Sequence, residues 1–472
     1  MSIPGLSLTV QSKSLGLSKG NGDHLPIILG TCKTGVAKQR YSFTDIKTAK
    51  DTLGLGPLTE AVAYYLAVAG GPVLAMPVNP SVPGAAAADS GTHTAGAPTV
   101  TVKAGTTPVD AFDVILTITV GGLLGTAQFT YSLDGGKTVS APILTLTGDY
   151  VLADSGLTIT FAAGTGPCVV GDTYKFVCTA PSFAQVDVTD AVTAAIALSD
   201  DFSLLHVVGE LDTAAHAEAL AAAVDALLAT AASTQYRYIM GLVECPWDAA
   251  VNNDAAFTTA FAAADLENTG VGAGHVTLVS PINGRQLQRN VAFCMGARSA
   301  AIDIQVSPAR FADGPLANVQ AIDRDEYKSQ ALDAARAVTA RTFPGQAGFY
   351  LTNGRLMAVA GSDFSFSPYR RVINKASGIT RDTLLQYVNQ DLQTNANGTL
   401  TEKQAQAIEG AIERAIEAGI VNPGAATGVV ATVDRTENVV STQNITVTIH
   451  LGALGYAKTI TATIGFQNPA TA

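Results

Sequence analysis

The sequence predicts an α/β protein: a doubly wound α/β core with an inserted all-β domain, followed by an α+β C-terminal domain that ends in strands. Three observations support this fold class. Strand-like apolar runs alternate with helical patterns on both sides of residues 83–183. That stretch is rich in Pro, Gly and Thr and contains short alternating strands. Both chain ends also alternate apolar and polar residues. The predicted domains are residues 1–22 (strand arm and tether), 23–82 plus 184–345 (core), 83–183 (insertion) and 346–472 (C-terminal domain).

The first elements in the chain are an arm and an α/β unit. Residues 1–11 alternate as a half-buried strand does, and the Ser-, Gly- and Lys-rich residues 12–23 predict a flexible tether. Ser42 and Asp45 have the spacing of a capping box, which predicts a short helix. A second helix is predicted at 57–69, with Pro in its first turn and two glycines after its end, between strands at 26–30 and 73–78.

The middle of the chain changes pattern twice. The clearest strands of the insertion are at 113–120, 126–132, 157–161 and 173–177, and Asp134-Gly135-Gly136 is typical of a hairpin turn. Strands at 204–208, 238–244 and 275–280 then alternate with helices at 212–232, 253–264 and 289–300. These strands are continuous apolar runs, which is typical of a parallel sheet covered on both faces.

The C-terminal domain is predicted from turn and cap residues. Asn353-Gly354 lies between apolar runs and predicts a hairpin, with a helix at 383–392 after it. Thr399 and Glu402 predict a cap for the next helix, which Gly419 should end. The apolar stripe of this helix is Ala405, Ile408, Ile412 and Ile416. After it, two alternating strands, 445–451 and 460–466, are predicted to form a hairpin across a turn at 452–455.

Composition restricts the function. Of the 472 residues 47% are apolar and only 14% charged, and the formal net charge is −11. Soluble proteins have about 25% charged residues, so the deficit indicates that much of the surface contacts other protein. Without clustered Lys and Arg, direct nucleic-acid binding is not expected. No secretory signal, no membrane-spanning run and, from five scattered cysteines, no disulfide framework are expected either.

The motifs of catalysis and ligand binding in the sequence give no positive support for an active site. The six histidines have no zinc-ligand spacing. The glycine run at 270–274 precedes a strand instead of opening a helix, so it predicts a connection and not a phosphate loop. Asp200-Asp201 and the acidic residues near 323–326 are more typical of solvated turns than of a metal site. No cofactor is predicted.

Two segments carry a family resemblance. Residues 25–35 (LPIILGTCKTG), 42–46, 61–66 and 70–77 (GGPVLAMP) resemble the opening of contractile phage-type tail sheath proteins. Residues 341–350 (RTFPGQAGFY), 353–355 and 369–373 are similar to the Pro-Gly strand and hairpin that lead into the C-terminal domain of that family. The order of parts agrees along the whole chain except the insertion.

The resemblance implies a structural subunit, not an enzyme, of a hollow helical polymer around an inner tail tube. Such a sheath contracts on stored conformational energy and drives the tube through the target cell envelope. Expected partners are further copies of this chain, the tube protein, and the baseplate and tail terminator proteins; the expected location is the virion tail after assembly in the host bacterial cytoplasm. Strands of one copy are expected to add to a small sheet in others, through Leu6, Leu8, Val10, Ile445, Val447, Ile449, Ile460 and Ile464.

Some interpretations stay open at this stage. The helix that carries Gln406, Glu409, Glu413 and Arg414 is a candidate for docking on the tube, or it packs against its own domain. The N-terminal strand, isolated by its tether, is the expected donor, and the C-terminal pair is expected to be in part a receiver. The main alternative is an α/β enzyme or ligand-binding protein with an accessory β-sandwich domain. It would require clustered His, Asp and Ser or Cys side chains at the carboxyl ends of the core strands. Another virion component, such as a tube or baseplate protein, is the second alternative.

Overall fold

A computed structural model describes residues 22–145, 147–247 and 253–466. Single turns of 3-10 or π helix lie at Gly22–His24, Ala231–Gln235, Phe311–Asp313, Leu385–Tyr387 and Glu417–Val421. The α-helices are α1 (Ile46–Leu53), α2 (Pro57–Ala69), α3 (Gln185–Ile196), α4 (Ala214–Thr230), α5 (Asp254–Ala260), α6 (Ala292–Ala301), α7 (Ala331–Ala334), α8 (Ser367–Leu384), α9 (Glu402–Ile416) and α10 (Val439–Thr442).

The strands follow the same chain order and belong to six sheets. They are β1 (Pro26–Gly30), β2 (Tyr41–Phe43), β3 (Val73–Pro77), β4 (Thr99–Val102), β5 (Phe112–Val120), β6 (Gln128–Ser132), β7 (Ile143–Leu144), β8 (Gly148–Val151), β9 (Thr158–Ala162), β10 (Thr173–Cys178), β11 (Leu204–Val207), β12 (Met240–Cys245), β13 (Thr269–Ala273), β14 (His275–Val279), β15 (Gln286–Asn290), β16 (Val319–Ile322), β17 (Ala340–Arg341), β18 (Tyr350–Leu351), β19 (Val429–Val433) and β20 (Val447–Leu451).

The largest sheet has six strands in the order β13-β12-β11-β1-β3-β2. The first five are parallel to one another and β2 is antiparallel at the edge. Side chains of β1 point alternately to two apolar clusters: Ile27 and Leu29 pack with residues of α3 and α4, and Ile28 packs with residues of α1, α2 and α6. The predicted mixed α/β fold is confirmed.

Local chemistry explains where the core helices begin and end. Pro57 occupies the first turn of α2, and Gly70 ends it in the left-handed region at φ 67°. The N-cap of α1 is Asp45, not Ser42, which lies in β2. Helix α4 and the turn after it span Ala214–Gln235 and are long and apolar enough to cross a membrane. Its buried residues, among them Leu220, belong to the core cluster beside the sheet.

Residues 99–178 form two antiparallel sheets, in the orders β10-β5-β6-β7 and β4-β9-β8. They share an apolar cluster of their own, which includes Phe129, Phe161 and Phe176. The aromatic ring of Phe129 packs edge-on against Tyr150, with 5.4 Å between ring centroids. The all-β segment therefore has a core separate from that of the large sheet.

Several sequence-based predictions in the core are wrong. Residues 270–273, expected to be a connection, belong to β13 at the edge of the large sheet. Strand β14, expected in the parallel sheet, instead lies between β15 and β16 in an antiparallel sheet. Arg289 and Asn290 end β15 and do not begin a helix. A Cβ at position 272 would lie 2.8 Å from the Cβ of Ala292, so glycine there permits close packing of α6.

The C-terminal predictions need similar corrections. Asn353-Gly354 does not turn a hairpin, since β18 pairs with β17 across the 342–349 segment. The helix expected at 383–392 is wrong: α8 spans Ser367–Leu384, and only the 3-10 turn Leu385–Tyr387 follows it. Helix α9 has Thr401 as its N-cap, and a π turn carries the chain past Gly419. The chain divides into two compact units, Met1–Asn374 and Lys375–Ala472, with the boundary inside α8.

Two helix glycines give a matched test of this packing. A methyl group at Gly296 of α6 would clash with the Tyr65 hydroxyl, whereas one at Gly378 of α8 meets open space. We expect Gly296→Ala to cost about 1–3 kcal/mol of unfolding free energy because overpacking outweighs helix propensity. Gly378→Ala should instead stabilise by up to about 1 kcal/mol. Urea denaturation of both variants measures the difference, and equal effects would contradict the packing argument.

Candidate functional site

The first candidate site is the two-stranded antiparallel sheet of the C-terminal unit. Strands β19 and β20 pair with Ala431 opposite Ile449 and Val433 opposite Val447. Helix α9 packs against β19 and buries its apolar stripe completely: Ala405, Ile408, Ile412 and Ile416 have no exposed area. Since a strand side chain alternates between faces, the odd-numbered residues of both strands share one face. Ala431 and Val433 on that face are buried, but Val447, Ile449 and Leu451 are only half-buried.

Two glutamates of α9 reach the outer edge of β19. The Glu413 carboxylate accepts the backbone N–H of Ala431 at 3.0 Å, and the Glu409 carboxylate accepts that of Val433 at 2.8 Å. These are backbone groups that point away from β20, because the even-numbered residues exchange the bonds with β20. The two glutamates of α9 thus accept the backbone N–H groups to which a further strand beside β19 would otherwise bond.

Arg435 holds this arrangement in place. Its guanidinium donates to both carboxylate oxygens of Glu409, at 2.7 and 3.0 Å, and to both oxygens of Glu402, at 2.8 and 3.0 Å. Hydrogen bonds from Arg435 lower the pKa of Glu409, with a further contribution from the N–H of Val433. Glu409 is therefore ionised, and an acceptor only, at neutral pH.

The predicted strand-pairing residues fall into three groups. Val447 and Ile449 lie in β20, and Ile445 lies two residues before it. Ile460 and Ile464 lie in no strand among the described residues, with 82% and 96% of their surface exposed. The predicted hairpin between 445–451 and 460–466 is therefore wrong, because β20 pairs with β19 instead. Leu6, Leu8, Val10 and most of the tether lie outside the described residues.

The tube-docking prediction for α9 is not tested, but its four side chains have defined surroundings. Glu409 and Glu413 are half-buried and bind β19, as described above. Gln406 is exposed and donates to Glu402 at 2.9 Å, and Arg414 is exposed. These contacts favour the alternative, a helix packed against its own domain, for the two glutamates.

The second candidate site is an open cleft in the larger unit, at the carboxyl ends of the parallel strands. Glu210, Glu244, His275, Arg289 and Asn290 contribute to its lining. Its volume of about 1360 Å³ exceeds the roughly 300–1,000 Å³ of fitted ligand pockets. The enzyme alternative requires clustered His, Asp and Ser or Cys side chains at this place, and the cleft brings His275 together with Glu210 and Glu244.

The contacts within this cleft and beneath it are largely internal. His206 is fully buried, with Tyr65 Oη 2.9 Å from Nδ1 and a Glu244 carboxylate oxygen 3.1 Å from Nε2. The Glu210 carboxylate contacts Nε2 of His275 at 2.9 Å and accepts from the Asn290 amide at 2.8 Å. Both histidines thus face groups of the protein itself.

A nucleophile for this cluster is not evident. Cys245 is buried, and burial, with a smaller effect of Glu210, raises the pKa of its thiol well above the usual range. A thiol of that kind is a poor nucleophile because the thiolate is the reactive form. Within the described ranges, no group of three or more His, Cys, Asp or Glu side chains could hold a metal ion.

Beneath the cleft, one carboxylate joins the all-β segment to β15. Asp110, 1% exposed, precedes β5 and binds Arg289 at 2.6 and 2.8 Å and Arg285 at 3.0 Å. Arg285 also stacks over the ring of Phe112, 4.4 Å from its centroid. Glu60 lies nearby, and burial, with a contribution from Asp110, raises the pKa of its carboxyl. The buried charges therefore tie the all-β segment to the core.

The cleft predicts a pH dependence of stability. Burial lowers the pKa of His275, but the attraction and hydrogen bond of Glu210, with smaller effects of Asp323 and Glu244, outweigh it and raise the pKa. A raised folded-state pKa gives stability that is present below about pH 6.5 and is lost as pH rises through the folded-state value. We expect the melting temperature to fall over that interval and His275→Gln to flatten the fall. An unchanged slope in His275→Gln would contradict the assignment.

Sequence reasoning missed the residues that organise both sites. Arg435 and Asp110 belong to no sequence motif. Arg435 lies 26 residues from its partner Glu409, and Asp110 lies 179 residues from its partner Arg289. A charged residue inside an apolar, strand-rich stretch was the only available indication.

Residues 3–355 match the family model described as DUF2586, N-terminal domain, and residues 363–471 match the model DUF2586, C-terminal domain. No curated protein matches the sequence.

Similar solved structures cover the whole chain. The sheath complex of an extracellular contractile injection system, PVC, in its contracted state is 11% identical, with a TM-score of 0.55 over 100% of this chain and 99% of that one. The contracted helical sheath of the anti-feeding prophage (AFP) is 13% identical, with a TM-score of 0.54 over 99% and 100%. A chain of the AFP baseplate is 12% identical, with a TM-score of 0.54 over 99% and 100%. At these identities the likeness establishes a shared fold, and the resemblance to contractile sheath proteins is confirmed at that level.

Proposed function

This chain belongs to the DUF2586 family, which its two domain models match over residues 3–355 and 363–471, and we propose that it is a structural subunit of a contractile tail sheath. One observation carries the proposal: the fold agrees with contractile sheath chains over 99–100% of both lengths. An unrelated α/β enzyme would share the central sheet at most, and not the all-β segment and the C-terminal unit as well.

In this proposal copies of the chain form a helical polymer around an inner tail tube, with baseplate and tail terminator proteins at its ends. The polymer is located in the virion tail and is assembled in the host bacterial cytoplasm. Contraction drives the tube through the target cell envelope. The work comes from a metastable extended lattice that relaxes to a compact one, as packed interfaces with two discrete arrangements allow.

Neighbouring copies are linked by strand addition, in which main-chain hydrogen bonds supply the affinity and alternate side chains fill the apolar face. The donors are the segments of Leu6, Leu8 and Val10 and of Ile460 and Ile464. The receiver is the β19–β20 sheet. Support comes from the exposed apolar side chains of 460–466 and from the half-buried face of Val447 and Ile449. An exposed alternating apolar segment is an aggregation hazard in a monomer but a connector in a polymer.

Electron microscopy of the purified protein tests the function, and the expected result is striated tubes. Deletion of residues 1–12 should leave a soluble protein with wild-type circular dichroism that no longer forms tubes. Tubes of normal appearance from the truncated protein would contradict linkage through the N-terminal strand. A purified wild-type protein that stays monomeric under all assembly conditions would contradict the sheath assignment itself.

A further inference from the structure

The all-β segment ends, on the side away from the core, in an exposed apolar surface. Strand β5 starts beside Asp110, which is bound to arginines of the core, and runs out to Val120. Beyond its end, Gly122 exchanges two backbone hydrogen bonds with Cys168, at 3.0 and 2.8 Å, so the two outer loops lie side by side. The aliphatic side chains that these loops and the neighbouring β7 expose, each by 41–67%, are called the apolar tip: Val120, Leu123, Leu144, Val169 and Val170.

The apolar tip carries no charge. Residues 114–133, 138–148 and 155–171, which include its five side chains, contain no Asp, Glu, Lys or Arg. The whole chain has a formal net charge of −11, so copies of it repel one another, and a contact between them is least opposed where charge is absent. A contiguous apolar patch of this kind marks an interaction site. Since the tip includes no aromatic or basic side chain of the type that anchors proteins to lipid head groups, a protein partner is favoured.

The cleft at the carboxyl ends of the parallel strands offers a matching apolar surface. Charged groups of its lining are already bound, since His275 and Arg289 contact carboxylates of the same chain at 2.9 and 2.6 Å. Among the other lining residues, Val82 and Val177 are 49% and 58% exposed, and Leu211 is half-buried. The cleft volume of about 1360 Å³ is larger than that of a small-molecule pocket, and it admits a protein loop.

The tip and the cleft lie at opposite ends of the same strand. Strand β5 begins at Phe112, which lines the cleft, and ends at Val120 in the apolar tip. Eight residue steps of about 3.4 Å separate the two by roughly 27 Å, so the tip cannot fill the cleft of its own chain. Two different surfaces of one chain that fit each other make a head-to-tail contact, and such contacts repeat along a helical polymer.

We propose, on the basis of the sheath function above, that the apolar tip of each copy docks in the cleft of a neighbouring copy. The occupant of the cleft is thus the all-β segment of a second copy, and its Leu123 and Val170 cover Val82 and Val177 there. A patch of five side chains is smaller than the roughly 1,200–2,000 Å² that a stable complex buries. The contact therefore adds to the linkage through terminal strands and does not replace it.

Cysteine pairs on mixed chains test the contact. Full-length L123C and V170C proteins, which carry an affinity tag, are each mixed with untagged V82C or V177C protein, assembled into tubes and oxidised. A disulfide requires Cα atoms within about 7 Å, so a mixed dimer that contains the tag reports a contact between copies. The wild-type protein controls for the five native cysteines. The matched control for the tip is V151C, since Val151 of the all-β segment is 66% exposed and belongs neither to the tip nor to the cleft lining.

The expected result is a linked dimer between at least one tip cysteine and one cleft cysteine, and none between V151C and either cleft cysteine. Three outcomes overturn the proposal: tubes of normal appearance in which no tip cysteine is linked to the cleft, linking of V151C as strong as that of L123C, or links between tip cysteines alone. A wild-type protein that forms no tubes would contradict the sheath function and this contact together. The two failures are therefore distinguishable.

Leu123→Asp measures the same contact without a cross-link. It should raise the protein concentration needed for tubes about tenfold or more, because the loss of one buried leucine side chain weakens a contact by that factor. Val151→Asp places the same charge at a site that is 66% exposed, against 67% for Leu123, and should leave that concentration unchanged. Both variants should keep the wild-type melting temperature. An equal effect of the two substitutions on tube formation would overturn the proposal.

Discussion

Replacing Ile460, Ile464 and Phe466 together by aspartate should convert the assembled protein into monomers. These side chains are 82%, 96% and 110% exposed, so the substitutions remove little contact with the described residues of the same chain. In a polymer linked through this segment, each apolar side chain contributes roughly 1.5–3 kcal/mol of burial. Because 1.4 kcal/mol is tenfold in affinity, the triple variant should weaken each link by more than about a thousandfold. Sedimentation velocity and electron microscopy measure the loss of polymer.

The matched control lies in the same segment. Thr461→Asp and Thr463→Asp place charges on the opposite side of the predicted strand, where an added strand faces solvent. The control should still polymerise, and both variants should keep the melting temperature of the wild-type monomer. Tubes from the triple aspartate variant would show that this segment does not link copies, whereas failure of both variants would point to charge alone.

Asp110→Ala should cause a large loss of stability, because Asp110 is the shared partner of two buried arginines. The variant leaves Arg285 and Arg289 buried without their shared carboxylate. Removing one partner of a buried ion pair costs about 3–5 kcal/mol, because the remaining charge is desolvated and unpaired. The fluorescence of Trp247, the sole tryptophan and 6% exposed, follows unfolding of the core in urea.

Asp190→Ala is the control for the charge argument. Asp190 binds Lys38 at 2.7 Å, and both side chains are about half exposed, at 54% and 46%. An exposed pair contributes at most about 1 kcal/mol, so this variant should shift the urea midpoint far less. Similar shifts in the two variants would refute the view that burial makes the Asp110 pair important.

Much of the fold could be predicted because its information is local. The Pro at the start of α2 and Gly70 at its end act within one helical turn, and the predicted bounds, 57–69, are those observed. The stripe of α9 was predicted from spacing alone, since a period of 3.6 residues puts its four apolar side chains on one face. The all-β segment was recognisable from alternation and turn residues.

Predictions failed where a residue type serves a tertiary contact. Glycine lowers the local preference for a strand, so β13 was not predicted from its residues. Its glycines are explained by packing, because a Cβ at Gly272 would lie 2.8 Å from the Cβ of Ala292. No neighbour in sequence reveals that contact. The same holds for Gly296 of α6, whose Cβ would meet the Tyr65 hydroxyl.

At the C-terminal strands, the sequence by itself determined which segments can be strands and which face of each is apolar. The alternation of apolar and polar residues does not identify the strand with which a segment pairs. By this pattern alone, β20 could have paired with 460–466 as well as with β19. Only the tertiary structure decided that β19 is the partner, that Glu409 and Glu413 occupy its outer edge, and that β20 pairs with no further strand in the described part of the chain. The physical reason is that backbone hydrogen bonds are the same for every residue, so the choice of partner depends on side-chain packing, here that of α9 against β19.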